Sequence, residues 1–152
     1  MGCMSYVEVP FEVLKEQWNT YYLEDGARIR ARVILLKVIL EPVDDNVRLR
    51  LDANNIIVVS APPNLCGEAG SPLTMEEMLS FARHGVAVKV LKADERYNVY
   101  KILPRGPVFK TKLVASDMAF RLVNRYDEDG QPVYLLGTTL AVMMPHNYHV
   151  LG

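Results

Sequence analysis

The segment Phe11-Glu-Val-Leu-Lys15 returns later in the chain as Val88-Lys-Val-Leu-Lys92, and Trp18-Asn-Thr-Tyr21 returns as Tyr97-Asn-Val-Tyr100. Gly26 with Arg28, Arg30 and Arg32 behind it is matched by Gly106 with Val108, Lys110 and Lys112. Further on, Val43-Asp-Asp-Asn46 lines up with Tyr126-Asp-Glu-Asp-Gly130, and residues 56–62 with residues 139–145. Matches kept in one order over so short a chain read as an internal duplication, and a repeat restricts the fold more than any single element does. The copies are residues 6–63 and 86–146, joined by a connector and helix over residues 64–85. Neither copy is large enough to bury a core of its own against chain entropy. Residues 1–152 are therefore expected to form a single domain.

Each copy has the pattern of a three-stranded antiparallel meander. Residues 7–23 are rich in β-branched and aromatic side chains and stop at Glu24-Asp25-Gly26, a glycine-bearing hairpin turn. Over residues 27–40, Ile29, Ala31 and Val33 alternate with Arg28, Arg30 and Arg32, the period of a half-exposed strand. From Ile34 onward both faces are apolar, which predicts a bend or bulge near residues 33–36. The turn at residues 42–46 leads into a third strand that ends at Pro62-Pro63. The fold class expected is mainly β: two duplicated three-stranded meanders forming one six-stranded barrel or sandwich, with one short helix between them.

That helix is predicted over residues 75–83. Thr74 and Glu77 form a capping box, Met75, Met78, Leu79 and Ala82 make one apolar stripe to pack on the sheet, and Gly85 suits a left-handed closing position. Three prolines and two glycines make residues 62–72 a connector.

The densest charged feature is an arginine comb: Arg28, Arg30 and Arg32 on one strand, with Arg48 and Arg50 on the next. Paired through the turn at 42–46, the two rows fall on one face, where five guanidinium groups make a forked donor array for phosphate, nucleic acid or an acidic partner. The competing reading is a solvated strand face with its arginines paired to Glu8, Glu12, Glu16, Glu24, Glu41 or Asp52. A formal net charge of −1 excludes a whole-molecule basic field but not a local patch. Trp18, Tyr21, Tyr22, Tyr97 and Tyr100 offer either a stacking surface beside the basic strands or residues that close the core. Asn19 and Asn98 are read as turn or bulge positions.

Catalytic and metal-binding patterns are sparse. Asp127-x-Asp129-Gly130 lacks the later ligands of a calcium loop and reads as a hairpin turn, and His146-x-x-His149 follows a proline where a metal-binding helix is not expected. Cys66 and His84 are a thiol and an imidazole without a positioned third group. No nucleophile-elbow or phosphate-loop motif occurs. Neither a catalytic residue, a metal site nor a cofactor is therefore assigned.

The N-terminal residues carry no basic segment before an apolar stretch, the longest apolar run is broken by Lys37, and the two cysteines are isolated. These features predict a cytoplasmic protein away from the membrane with reduced thiols. The run Trp18-Asn-x-Tyr21-x-Leu23-Glu-Asp-Gly26, with Tyr126-Asp-x-Asp-Gly-Gln-Pro-Val-Tyr134 in the other copy, resembles segments of small uncharacterised prokaryotic β domains. That resemblance supports the repeat and implies no activity. Two functions follow as expectations: a non-enzymatic protein-interaction or assembly module that self-associates as a dimer, or a binder of anions or nucleic acid through Arg28, Arg30, Arg32, Arg48 and Arg50.

Overall fold

Strand-forming patterns fill most of the chain, and the computed structural model is accordingly mainly β with one short helix. It describes residues 7–44, 46–145 and 148–150. The strands are β1 (Val7–Val9), β2 (Phe11–Lys15), β3 (Asn19–Leu23), β4 (Arg28–Val43), β5 (Asn46–Ser60), β6 (Val86–Asp94), β7 (Tyr97–Ile102), β8 (Val108–Tyr126), β9 (Pro132–Met143) and β10 (Tyr148–Val150). A 3₁₀ turn at Pro63–Leu65 and the helix α1 (Met75–His84) lie between β5 and β6.

In β4, Ile29, Ala31 and Val33 are buried while Arg28 is exposed, and in β8 Phe109, Thr111 and Leu113 are buried. This period-two burial is what a sheet with one core-facing side requires. The expected irregularity in β4 is a register shift between Leu35 and Lys37 against β5. One extra residue there keeps Val38 on the core side after Leu35.

β3, β4 and β5 form one antiparallel meander, and β7, β8 and β9 form a second. β10 adds to β5 in parallel. Residues 7–23 are not one strand, contrary to the expectation from sequence. β1 lies along the far part of β4, with Val7 opposite Leu40, and β2 crosses to β7, with Phe11 opposite Ile102. The chain then turns and returns as β3 beside β4. Proline has no N–H to give a ladder, so Pro10 is where the strand breaks and changes partner.

β6 makes the corresponding crossing without interruption. Its first part pairs with β8, Val86 opposite Arg121, and its second part pairs with β3, Val90 opposite Leu23. Each half of the chain thus extends a strand to the other half's meander, β2 to β7 and the second part of β6 to β3. The ladder runs β10-β5-β4-β3-β6-β8-β7-β2, with β1 on β4 and β9 on β8, and does not close into a ring.

Both cores mix the halves. One gathers Tyr21, Ile29, Val33, Val88 and Leu113, the other Leu35, Leu49, Tyr100 and Phe109. Burial of each large apolar side chain contributes about 1.5–3 kcal/mol, so neither half can leave the other without exposing a core.

α1 carries the expected capping box: the Glu77 amide donates to Thr74 Oγ1 and the Thr74 amide to Glu77 Oε1, both at 3.1 Å. Its apolar stripe is not buried, however. Met75, Met78 and Leu79 are 71%, 51% and 69% exposed. The helix is tethered through Glu77, where Arg125 of β8 bonds Glu77 and the Ser71 carbonyl, and Met75, Met78 and Leu79 are left in solvent. Gly85 does not adopt a left-handed conformation; among the described glycines Gly26, Gly106 and Gly130 do.

Candidate functional site

The two connectors that carry the exchanged strands, residues 16–18 and 95–96, meet where the halves cross. The Gln17 amide donates to Asn98 Oδ1 at 2.8 Å, and the Arg96 amide donates to Asn19 Oδ1 at 2.9 Å. Asn19 Nδ2 continues to the Leu113 carbonyl at 2.8 Å, and Asn98 Nδ2 to Thr111 Oγ1 at 3.2 Å. Both asparagines are buried inside strands without positive φ. Their amides satisfy backbone groups of the opposite half, a demand that competes with the turn role expected of them.

Beneath the asparagines lie two tyrosine–carboxylate pairs. The Tyr21 hydroxyl donates to Glu95 Oε2 at 2.9 Å, and Glu95 Oε2 also accepts the Ala115 amide at 2.7 Å. The Tyr100 hydroxyl donates to Glu16 Oε2 at 2.8 Å, and Glu16 Oε2 accepts the Leu35 amide at 2.9 Å. Burial, and then the neighbouring carboxylate, push both phenols well above their ordinary range. Both rings are wholly buried, so these are clamps between halves, not groups offered to a substrate. The residues are legible in the repeated spacing Glu16-x-x-Asn19-x-Tyr21 and Glu95-x-x-Asn98-x-Tyr100, but sequence points to Glu16 only as a surface partner of the arginines and not to Glu95, because a glutamate before a strand ordinarily faces water.

Above the same crossing, cations lie over aromatic rings. Arg30 and Arg32 stand 5.1 and 6.0 Å from the Trp18 centroid. Lys110 and Lys112 stand 5.8 and 5.0 Å from the Tyr97 centroid. Lys92 is 5.7 Å from the exposed Tyr22 ring, which also lies opposite Arg28 in the sheet. Register explains the grouping: Arg30 pairs across β3 with Thr20, and Lys112 pairs with Tyr97 itself. A shallow pocket of about 380 Å³ opens beside Trp18, lined by Gln17, Thr20, Arg30, Asp94 and Arg96.

The arginine comb is split. Arg28, Arg30 and Arg32 sit opposite Ser60, Val58 and Ile56, whereas Arg50 and Arg48 sit opposite Ile39 and Glu41, toward the other end of the hairpin. Arg32 and the partner position of Arg50 are seven residues apart on β4, about 23 Å at strand rise. A long hairpin shares a face without bringing its ends together. Of the carboxylates expected to pair with the comb, Glu16 reaches Arg32 at 4.0 Å. The Nε atoms of Arg30 and Arg32 are buried without a hydrogen-bond partner.

Elsewhere, Asp127 Oδ1 accepts the amides of Asp129 at 2.8 Å and Gln131 at 3.0 Å, which uses it for the turn. Cys66 Sγ lies 3.5 Å from the Pro62 carbonyl. Cys3 and His146 lie outside the described residues, as does the side chain of His149. Among the described residues no cluster of three metal-ligating side chains occurs, and no helix is long and apolar enough to cross a membrane. No family model, curated protein or solved structure matches the chain.

Proposed function

We propose that this chain is a non-enzymatic assembly module, a duplicated β unit that pairs with a second copy of itself through α1. The observation that carries this reading is the exposure of Met75, Met78 and Leu79 on a helix bonded to the sheet through Glu77. Methionine and leucine on a short helix make an adaptable apolar surface.

The second copy is favoured by charge. α1 begins with Glu76 and Glu77 and ends with Arg83 and His84. Glu76, Leu79, Arg83 and His84 border one open groove of about 560 Å³. An antiparallel pair about a twofold axis sets Glu76 of each copy against the partner's Arg83, with Leu79 between them.

The duplication and its closure belong to the same reading. Glu16 and Glu95, Gln17 and Arg96, Asn19 and Asn98, and Tyr21 and Tyr100 stand at one constant spacing and make corresponding bonds. We read β1 and β2 as a single strand interrupted at Pro10. On that count β3, β4, β6, β7 and β8 join it in a six-stranded barrel, with β5 and β9 as hairpin extensions.

Light scattering tests the dimer. A mass of twice 17.2 kDa is expected at high concentration, and Leu79→Glu is expected to reduce it to the monomer. Arg83→Glu weakens the pair, and adding Glu76→Arg restores it. A single monomeric species at all concentrations overturns the proposal.

A further inference from the structure

We infer that the crossing of the two halves carries a binding face for single-stranded nucleic acid, with Trp18 and Tyr97 as base-stacking platforms and Arg30, Arg32, Lys110 and Lys112 as phosphate contacts. This site shares no residue with α1 and stands whether or not the chain dimerises.

Three observations converge on it. First, two cations crowd each ring, and the pairs Arg30/Arg32 and Lys110/Lys112 are each two residues apart on one strand face, about 7 Å at strand rise. Like charges that close repel one another and are relieved by an anion. Second, counter-charge inside the chain is thin. Glu16 reaches Arg32 from the buried side at 4.0 Å, and Asp94 pairs with Arg96 at 3.3 Å. Among the described residues Arg30, Lys110 and Lys112 form no ion pair, and the buried Nε atoms of Arg30 and Arg32 have no hydrogen-bond partner. Third, the clusters are neighbours: the Gln17 side-chain amide donates to the Tyr97 carbonyl at 2.9 Å, one residue from Trp18.

A free phosphate needs one such cluster. Two clusters, each an aromatic ring with two cations, fit a polymer that alternates flat bases with phosphates, because stacking on aromatic rings and a basic track together bind single strands with little sequence preference. An acidic peptide supplies the charge without the flat ring. Duplex DNA hides its base faces.

Trp18 is the only tryptophan of the chain, so its fluorescence reports the site directly. Oligothymidylate of about twelve nucleotides, within the length one small β domain covers, is expected to change that emission saturably at low salt. The logarithm of affinity should fall with the logarithm of salt at a slope of about −0.7 per phosphate contact, near −2.8 for four. Lys110→Gln with Lys112→Gln is expected to reduce the slope by about 1.4 while Trp18 is untouched. Tyr97→Ala is expected to weaken binding about tenfold. Circular dichroism and the thermal midpoint of each variant establish that it is folded. Equal binding of polyglutamate, inorganic phosphate or duplex DNA, or a slope unchanged in the folded lysine variant, overturns the inference.

Discussion

The hydroxyl of Tyr100 donates to Glu16 Oε2 at 2.8 Å across 84 residues of sequence. The bond fastens the connector of the first half to the core of the second. Tyr100→Phe leaves the carboxylate, whose side chain is only 7% exposed, short of a donor. A loss of about 1.5–3 kcal/mol is expected in urea unfolding. Tyr22→Phe, on the exposed face, should stay within about 0.5 kcal/mol of the parent.

Asn19 and Asn98 each accept a connector amide but donate their Nδ2 to different groups. Removing the Asn19 side chain strands the Arg96 amide and the Leu113 carbonyl, both backbone groups. Removing that of Asn98 strands the Gln17 amide and a threonine hydroxyl that can rotate. Asn19→Ala is therefore expected to cost about 2–4 kcal/mol, and Asn98→Ala about 1 kcal/mol less. Thermal midpoints of the two variants check the order.

Alkaline pH should unfold the protein cooperatively. Tyr21, Tyr100 and Tyr134 all have phenols raised above the ordinary value, first by burial and then by Glu95, Glu16 and Asp25 respectively. A folded value above the unfolded one favours the neutral phenol. The stabilisation is thus complete below about pH 10, where unfolded tyrosine ionises, and is lost as pH rises further. Tyrosinate absorbance and circular dichroism followed together should show the buried phenols ionising with unfolding rather than before it.

Acid should release α1 first. The Arg125 guanidinium, followed by the Thr74 amide, holds Glu77 below the ordinary carboxylate value. The tether is complete above about pH 4.3, the ordinary glutamate value, and is lost as pH falls through the lower folded value. Amide exchange in α1 should accelerate in that window while the core strands stay protected. Thr74→Ala should accelerate it at neutral pH as well, through a cap worth about 1 kcal/mol.

The connector depends on a close backbone approach. The Gly67 amide donates to the Gly130 carbonyl at 3.0 Å, and the Gly70 amide to the Asp127 carbonyl at 2.7 Å. A Cβ at Gly67 would overlap the Tyr126 ring, and one at Gly70 the Tyr126 carbonyl. Gly70→Ala is expected to lift the connector from the turn and open residues 62–72 to limited proteolysis, with the sheet intact.

Much of the local structure was legible. Alternation marked the core side of β4, the loss of alternation marked the bulge at Leu35/Lys37, and Thr74 with Glu77 marked the start of α1. The candidate site was legible in fragments: Arg28, Arg30 and Arg32 do share a face beside Trp18, but Arg48 and Arg50 lie far along the hairpin. Glu16 is expected from sequence only as a surface partner of the arginines, and Glu95 carries no signal at all, since nothing local separates a buried carboxylate from a solvated one.

Local sequence was enough to place the alternating core side of β4, its bulge, the turn at Gly26 and the start of α1, because side-chain periodicity and backbone preference act within a few residues; it did not show that residues 7–23 divide into β1, β2 and β3. Tertiary structure alone decided that β2 leaves its own meander for β7 and β6 leaves its own for β3, because every strand edge offers the same N–H and C=O groups and only the packing of the whole selects among partners. It decided likewise that α1 is tethered to the sheet through Glu77. Arg125 bonds Glu77 and Ser71 while Met75, Met78 and Leu79 stay exposed, and no helical period records which side of a helix finds a neighbour.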